Sequence, residues 1–304
     1  MLTDRKIREA LPGLSLFTQA SMSAYTSFHI GGPADLLAMP RDAEELKALL
    51  QLSARHETPV LCMGNGTNLL VSDAGVRGLV IKTHPGFAQV VRRGDRDIEA
   101  DAGALLSRVA SKAAEWGLSG MAFAHGIPGT VGGALAMNAG AYGGEMSQVV
   151  LEAQGVGFDS ASFFLTHAQL DFSYRNSFFG QNPEIMATSA VFRLTPDDPE
   201  SIRRDMAALS GKRRASQPLE YPSAGSVFKR PPGAYAAALI DDCGLKGYAV
   251  GGAQVSEKHA GFIVNRGGAT CEQVKRLIEY IQETVLTQTG VTLTCELKIV
   301  GESL

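Results

Sequence analysis

Apolar residues recur at helical spacing in several stretches of the chain. A helix is predicted after Asp42, which forms a capping box with Glu45 three positions later. A second helix is predicted over 105–116, ended by Gly117. A third begins at the cap formed by Thr270 and Gln273, and a charged helix is predicted over 197–217. One apolar stripe marks the Thr270 helix: Val274, Leu277, Ile278, Ile281 and Val285.

Shorter apolar or alternating stretches predict strands. They lie at 59–63, 78–82, 148–156, 186–194 and 293–301, with a hairpin around 88–101. In the last of these stretches apolar and polar residues alternate strictly from Leu293 to Ile299. Short strands and helices without steady βαβ alternation favour an α+β fold.

Length and charge limit the classes of protein. A chain of 304 residues exceeds the size at which single cores stop growing, so two or three domains are expected. The net charge is -3, from 28 basic and 31 acidic residues, and no long run of Lys or Arg occurs. A nucleic-acid partner is therefore disfavoured.

The beginning of the chain and its cysteines predict the compartment. The first residues lack the apolar core of a signal peptide, and no apolar run approaches the ~18 residues of a membrane span. We expect a cytoplasmic protein without membrane insertion. The four scattered cysteines are predicted to be free thiols, and no metal site is expected because neither they nor the six histidines form a cluster.

A glycine-rich stretch is the most informative part of the chain. Between Gly117 and Gly144, here named the second glycine segment, nine glycines occur in 28 positions and alternate with core-type residues. Missing Cβ atoms allow close approach, so the segment is predicted to pack against a large, flat, phosphorylated cofactor. The alternative is a system of tight turns in an ordinary core. The predicted cofactor contacts are Gly126, Ile127, Pro128, Gly129, Thr130, Gly132, Gly133 and Asn138.

A shorter glycine pair follows the strand at 59–63. Two glycines free the backbone to point successive N–H groups into one concavity, which predicts a pyrophosphate site. The pattern is neither the dinucleotide fingerprint nor a Walker loop. A hairpin turn at Asn65-Gly66 is the alternative. The predicted contacts of this first glycine loop are Gly64, Asn65, Gly66, Thr67, Asn68 and Leu69.

Six motifs occur in order between about residue 22 and residue 301. They are YTSFHIGGPAD (25–35), GNGTNLLVSD (64–73), GIPGTVGGALAMNAGAYGGE (126–145), FSYRNS (172–177), SAGSVFK (223–229) and GGAQVSEKH (251–259). Together they resemble the UDP-N-acetylenolpyruvoylglucosamine reductase family, the MurB family. Only about a dozen residues separate Arg175 from the strand containing 190–193, so the chain resembles the short, type II form, which lacks the inserted substrate-covering loop.

The resemblance implies an α+β fold. It has a two-subdomain FAD-binding module of the vanillyl-alcohol oxidase (PCMH) type and a smaller α+β substrate-binding domain. The expected bounds are 1–82 and 83–203 for the two subdomains and 204–292 for the substrate-binding domain. The strand at 293–301 is expected to complete the second subdomain.

The resemblance also implies a reaction. NADPH reduces FAD, which then reduces an enolpyruvyl ether to give UDP-N-acetylmuramate for peptidoglycan synthesis; no obligate protein partner is implied. Negative charge develops on the substrate carboxylate, which requires cations or donors and a proton source. The family roles map onto Arg175, Ser226 and Glu296 as catalytic residues. The substrate-binding candidates are Tyr174, Lys229 and His259, and the wider basic set for the UDP phosphates adds Lys212, Arg213, Arg214 and Lys258.

Each of these residues has an ordinary alternative. Arg175 could be a surface cation and Ser226 a turn residue or helix cap. Glu296 lies on the polar side of its predicted strand, where exposure to solvent is usual, and it helps catalysis only if protonated or bridged to a cation.

Two other functions remain open. The first is another flavoprotein oxidoreductase of the same superfamily with a different substrate, since fold does not fix function. The second is a UDP-sugar-binding module without enzymatic activity. Because His29, the one conceivable tether, lies outside the glycine-rich stretches, FAD is expected to be non-covalent.

Overall fold

The computed structural model describes residues 2–301, and in that part of the chain helices and strands mix without regular alternation. The α-helices in it are α1 (Asp4–Ala10), α2 (Ala43–Arg55), α3 (Leu106–Glu115), α4 (Val131–Met137), α5 (Phe178–Gln181), α6 (Pro199–Ser216), α7 (Ala236–Asp242) and α8 (Cys271–Thr289).

Strands of two to nine residues make up the sheets. In chain order they are β1 (Ser15–Ser21), β2 (Pro33–Met39), β3 (Val60–Met63), β4 (Leu69–Val71), β5 (Val76–Lys82), β6 (Val90–Arg93), β7 (Asp97–Asp101), β8 (Leu118–Ser119), β9 (Gly140–Ala141), β10 (Gly144–Glu145), β11 (Val150–Gly157), β12 (Ser162–Thr166), β13 (Ile185–Arg193), β14 (Thr195–Pro196), β15 (Ser223–Ser226), β16 (Ala249–Val250), β17 (Ala253–Val255), β18 (Phe262–Asn265) and β19 (Lys298–Val300).

Contacts within the chain divide it into two compact units. Unit 1 is assembled from residues up to Thr18, Leu36–Asn65 and Gly78–Arg213, and unit 2 from Gln19–Asp35, Gly66–Arg77 and the chain from Arg214 onward. Each unit therefore draws on several segments, whereas the bounds predicted from the sequence cut the chain into consecutive pieces.

A five-stranded antiparallel sheet organises unit 1. Its order is β12-β11-β13-β7-β6, and the strands predicted at 148–156 and 186–194 are its neighbours β11 and β13. The hairpin predicted around 88–101 is β6 and β7. Buried residues of the sheet pack with those of α3, α4 and α6 in one apolar cluster. Local alternation was a sufficient signal here because every strand of this sheet has one face on that core.

A four-stranded sheet has the order β1-β2-β5-β3. β3 and β5 are parallel, with Met63 opposite Lys82, so both carboxyl ends lie at one edge of the sheet. The first glycine loop begins at that edge. The apolar face of α2 is buried: Leu46, Leu49 and Leu50 belong to the same apolar cluster as Leu79 and Ile81 of β5.

Unit 2 is built on an antiparallel sheet of order β15-β18-β17-β16 and on α8. Thr270 and Gln273 form the predicted capping box, and all five residues of the predicted stripe are buried. Asp73 caps the same helix from a distance, because its carboxylate accepts from Cys271 N at 2.8 Å and from Glu272 N at 3.0 Å. This explains the final Asp of the GNGTNLLVSD motif as a helix cap.

Two predicted details are wrong. The final strand covers only Lys298–Val300, and it pairs in parallel with β4 instead of joining the five-stranded sheet. The chain changes partner along the predicted strand: residues 294–296 pair antiparallel with 227–229, Leu293 and Leu297 are buried in the unit 2 core, and only Lys298–Val300 pairs with β4. At α2, Asp42 caps as predicted, but the Glu45 carboxylate bonds to Arg41 and does not complete the box.

Candidate active site

The first glycine loop follows the carboxyl end of β3, and its backbone N–H groups from Gly64 through Thr67 have no acceptor among residues 2–301. Gly66 holds a left-handed φ of 65°. β3 and β4 belong to different sheets, so the alternative of a hairpin turn is wrong. The loop offers the donors that a pyrophosphate needs, and that assignment stays a prediction.

Two asparagine side chains fix this loop. Asn65 Nδ2 donates to Pro128 O at 3.0 Å, within unit 1. Asn68 Nδ2 donates to Glu296 O at 3.2 Å, within unit 2. Both amides were predicted to contact the cofactor, and in the structure each spends one N–H on a protein carbonyl.

The second glycine segment uses its donors differently. Residues 131–137 form α4, a helix that the sequence did not predict because glycine has a low helix propensity. Val131 N donates to Ala104 O at 2.9 Å and Gly132 N to Ala102 O at 2.8 Å. These two N–H groups therefore bond within the protein and are not available to a ligand. What the segment can present to a ligand is a backbone surface without side chains.

Thr130 marks the place where a cofactor fits. Its hydroxyl is buried and has no hydrogen-bond partner among residues 2–301, which is costly unless a ligand supplies one. A Cβ on Gly64 would overlap this hydroxyl, whereas Gly133 is exposed, and a Cβ built there would lie 3.7 Å from it. A buried hydroxyl without a hydrogen-bond partner, beside Gly64 and the exposed Gly133, fits the FAD that the resemblance implies.

Asn138 does not fit the predicted cofactor contact. Its side chain is 2% exposed, and both ends of its amide are bonded within the protein. Nδ2 donates to Ser173 O at 3.1 Å, and Oδ1 accepts from Ser147 N at 2.9 Å. A residue lining an open cofactor site would keep an accessible polar atom.

Arg175 stands at the tip of a tight turn in unit 1. Ser173 and Asn176 exchange backbone hydrogen bonds of 3.0 and 3.2 Å, and Arg175 between them has a left-handed φ of 57°. Its Nη1 lies 3.4 Å from Gly140 O, and its Cζ lies 5.6 Å from the Tyr174 ring centroid. A non-glycine residue in this conformation is uncommon and costs of order 1 kcal/mol, so the fold holds it there.

Ser226 and Glu296 come together in unit 2. Glu296 N donates to Val227 O at 2.7 Å, and Lys229 N donates to Thr294 O at 2.9 Å. The two segments therefore run side by side, with Ser226 and Glu296 on adjacent stretches. Both residues are half-buried, so Glu296 is less exposed than the polar side of a surface strand usually is, and its catalytic role stays a prediction. Ser226 Oγ donates to Phe228 O at 3.3 Å and has no histidine partner among the described residues.

The substrate-binding candidates differ in character. Tyr174 is 54% exposed, and Lys229 is half-buried beside the Ser226 segment. Burial lowers the pKa of the His259 imidazole. Its Nδ1 lies 3.2 Å from Gly261 N and accepts that amide proton, so the ring carries its own proton on Nε2. In this arrangement the His259 ring keeps one N–H donor, at Nε2, and its contact with a phosphate stays a prediction.

Of the wider basic set, Arg213 and Lys258 have defined surroundings. Arg213 covers Gly126: a Cβ on that glycine would lie 3.0 Å from Arg213 Cδ, and burial lowers the pKa of the guanidinium. Lys258 Nζ donates to Arg214 O at 2.7 Å and lies 3.9 Å from a Glu220 oxygen. Lys258 is thus engaged within unit 2.

Lys82 is a charged residue that the sequence analysis missed. It is 5% exposed, its Nζ donates to His84 O at 2.7 Å, and burial lowers its pKa to about 8. Asn265 was also missed: Nδ2 donates to Phe28 O at 3.1 Å, and Oδ1 accepts from Gly267 N at 2.9 Å. The sequence did contain a signal for both residues, because each directly follows three apolar residues of a predicted or observed strand.

The described part of the chain has no metal site and no membrane-spanning helix. No group of three or more His, Cys, Asp or Glu residues from 2 to 301 could hold a metal ion. The four cysteines are free thiols, and burial raises the pKa of Cys62 to about 12 and that of Cys271 to about 11. Of the helices in residues 2–301, none has the length and apolar character to cross a membrane.

Comparison with protein families gives two matches. A family model described as UDP-N-acetylenolpyruvoylglucosamine reductase, C-terminal domain, matches residues 217–300. One described as FAD binding domain matches residues 34–156.

Whole proteins are similar over nearly the full length. The UDP-N-acetylenolpyruvoylglucosamine reductase of Agathobacter rectalis is 48% identical, with 98% of each chain covered. That of Caldanaerobacter subterraneus subsp. tengcongensis is also 48% identical, covering 98% of this chain and 97% of its own. The crystal structure of UDP-N-acetylenolpyruvylglucosamine reductase (MurB) from Thermus caldophilus matches with a TM-score of 0.80 and 36% identity, covering 94% of this chain and 98% of that one.

Proposed function

The chain belongs to the UDP-N-acetylenolpyruvoylglucosamine reductase family, and from this premise we propose how its residues carry out the reaction. It is a FAD-dependent oxidoreductase that reduces the enolpyruvyl ether of UDP-N-acetylglucosamine with NADPH, giving UDP-N-acetylmuramate. The reaction supplies peptidoglycan synthesis, and through it cell wall biogenesis, cell shape and cell division. We place it in the cytoplasm, with these two small molecules as its partners.

The α+β fold with a PCMH-type FAD-binding module is confirmed. We propose that functional modules follow the predicted bounds, with FAD-binding subdomains in 1–82 and 83–203 and substrate binding in 204–292. The family matches over 34–156 and 217–300 support this assignment.

Bound FAD supplies the two-electron chemistry, taking reducing equivalents from NADPH and delivering them to the substrate double bond. The free N–H groups of the first glycine loop would hold its diphosphate, and the orphaned Thr130 hydroxyl would find its missing partner there. Gly133 leaves the adjacent backbone open to a flat ring or a phosphate.

Arg175 binds the substrate carboxylate on which negative charge accumulates. Its guanidinium is permanently charged and presents a planar fork that matches a carboxylate. Glu296 acts on the same developing charge, either as a neutral acid that donates a hydrogen bond or as a carboxylate bridged to a cation. Ser226 delivers one proton from Oγ to the substrate carbon, which needs no nucleophilic activation and therefore no histidine.

The observation that supports these roles most directly is the antiparallel pairing of residues 227–229 with 294–296. It places Ser226 and Glu296, which are 70 positions apart in sequence, on adjacent stretches, as a shared role in one reaction requires. Lys229 and the neutral His259 then contribute to binding the nucleotide, and Tyr174 contributes beside Arg175.

An anaerobic titration tests the activity. The purified yellow protein should bleach with NADPH and regain its colour on addition of the enolpyruvyl nucleotide. Bleaching without recovery would mean a flavoenzyme with another substrate, and a colourless preparation would mean a binding module. Acid denaturation followed by filtration should release the flavin, because we propose non-covalent binding.

Ser226→Ala tests the proton delivery. Flavin reduction by NADPH should stay nearly intact, while reduction of the nucleotide slows by ~10²–10⁴-fold. Stopped-flow measurement of the two half-reactions separates them. Equal slowing of both would assign Ser226 to structure or flavin binding.

Arg175→Lys and Glu296→Gln test the carboxylate site. Lysine keeps the charge and loses the fork, so a clear loss of rate is expected. If Glu296 is a neutral donor, Gln retains part of the activity; if it holds Arg175, Gln behaves like the Arg175 variant. The double variant should then be far from additive. Strictly additive losses would show that the two residues act independently.

A further inference from the structure

We propose that Asn138 is a positioning residue for Arg175: its buried amide ties the end of α4 to the turn that carries the arginine. The inference rests on the proposed role of Arg175. It assigns Asn138 to the arginine and not to the cofactor.

The turn needs an external anchor. The hydrogen bonds that close it are exchanged between Ser173 and Asn176, and Arg175 between them occupies the left-handed region at φ 57°. A left-handed arginine at an exposed turn would relax to other conformations unless the surroundings fix the backbone. A relaxed turn would swing the guanidinium, because a small backbone rotation is amplified along a long side chain.

Asn138 supplies the anchor by a direct bond. Nδ2 donates to Ser173 O at 3.1 Å, which is the carbonyl that opens the turn. The other end of the amide is fixed in turn, because Oδ1 accepts from Ser147 N at 2.9 Å. The Asn138 side chain is buried, at 2% exposure, which limits the access of water to its amide, while Ser173 lies on the exposed turn.

Two further links join the same stretches. Ser177 is fully buried, and its Oγ donates to Ala136 O at 3.4 Å. Arg175 Nη1 donates to Gly140 O at 3.4 Å. The chain before, within and after the turn is therefore docked on residues 136–140. The Asn138 bond is the shortest of the three and acts on the turn itself.

The residue type follows from two requirements. Asn138 ends α4 with a left-handed φ of 41°, a conformation that only Gly, Asn and Asp adopt readily. Glycine would satisfy the backbone without either bond, and aspartate would keep the acceptor without the donor. Asparagine alone satisfies the left-handed backbone and provides both a donor and an acceptor.

Asn138→Gly is the decisive variant, because it keeps the backbone and removes both bonds. FAD should remain bound, and flavin reduction by NADPH should stay within about twofold. The reduction of the enolpyruvyl nucleotide should fall by ~10–10²-fold, as expected for misplacement of a catalytic group. Asn182→Ala is the matched control: it removes a 2.8 Å amide bond to Phe178 O in the same unit and should change neither half-reaction.

A double variant separates this inference from the proposed function. In an Arg175→Ala background, Asn138→Gly should cause no further loss. If the loss persists there, or if Asn138→Gly releases FAD, the positioning role is overturned. If Arg175→Ala itself keeps the wild-type rate, it is the proposed function that fails. Should Asn138→Gly not fold, Asn138→Asp keeps the cap and the acceptor but replaces the donor to Ser173 with a buried carboxylate oxygen, which carries its own cost. It is read by the same criteria once FAD retention shows that the variant is folded.

Discussion

The two glycine-rich stretches of this chain look alike in sequence and use their glycines for different purposes. In the first glycine loop the backbone donors from Gly64 through Thr67 have no acceptor among the described residues. In the second glycine segment the donors of Val131 and Gly132 are spent, and several glycines exist to let the chain touch itself. A high density of glycines therefore indicates close packing in general. Backbone N–H groups without an acceptor are what distinguish a ligand site from a packed core.

Gly144→Ala should have the largest effect, because it adds a Cβ where the second glycine segment packs on itself. That Cβ would lie 2.5 Å from Phe123 Cδ1 and 2.8 Å from Phe123 Cβ, in a core that cannot yield easily. We expect a loss of roughly 2–3 kcal/mol in the free energy of unfolding, measured by urea denaturation of the apoprotein.

Gly211→Ala is the control of opposite sign. A Cβ there meets nothing within 4 Å, and the position lies inside α6. The apoprotein should become more stable by about 0.5–1 kcal/mol. A mild effect of Gly144→Ala, similar to that of Gly211→Ala, would contradict the claim that this segment is packed for the protein.

Lys82→Met probes the charge next to the first glycine loop. In the folded protein burial lowers the pKa of Lys82 to about 8. Below that pH the Lys82 amine is protonated in both the folded and the unfolded protein, so the folded protein carries the full desolvation cost of the buried charge. Between about 8 and the unfolded value of ~10.4 only the unfolded state binds it, so stability from this group rises with pH.

The variant should therefore be more stable than the parent at pH 7 by roughly 2 kcal/mol, after about 1 kcal/mol is lost at the His84 carbonyl. The advantage should shrink toward pH 10. Urea unfolding of the apoprotein at both pH values measures it, with the exposed Lys298→Met as a control expected within ~0.5 kcal/mol. A pH-independent loss of stability would show that the hydrogen bond to His84 outweighs desolvation.

What the sequence could predict depended on local signals. The capping box and apolar stripe of α8 lie within one helix, so periodicity was sufficient. The turn at Arg175 could not be foreseen, because its left-handed backbone is held by Asn138 across 35 positions. The single final strand was predicted because its alternation is continuous, whereas in the structure residues 294–296 pair with 227–229 and only Lys298–Val300 pairs with β4.

Gly133→Ala tests whether the second glycine segment has any ligand-facing part. The position is exposed, and a Cβ there would meet only Thr130 Oγ1, at 3.7 Å. The apoprotein should be as stable as the parent or slightly more so, while the dissociation constant of FAD rises by about tenfold, roughly 1.4 kcal/mol. Quenching of flavin fluorescence measures the affinity, with Gly211→Ala again as the control. Unchanged affinity would assign the whole segment to packing.

The smallest expected effect lies at the link between the two stretches. Asn65 Nδ2 donates to Pro128 O at 3.0 Å in an exposed position, so Asn65→Ala should cost at most about 1 kcal/mol of stability. Asn65→Asp loses the same donor and adds a negative charge beside the free N–H groups. If the loop binds a diphosphate, Asp must weaken FAD binding more than Ala, and the difference must shrink at high salt because exposed charges are screened. Flavin titrations of both variants at low and high salt measure this. Equal losses for Asn65→Ala and Asn65→Asp would mean that no anion binds at the first glycine loop. Both glycine-rich stretches would then serve packing of the protein.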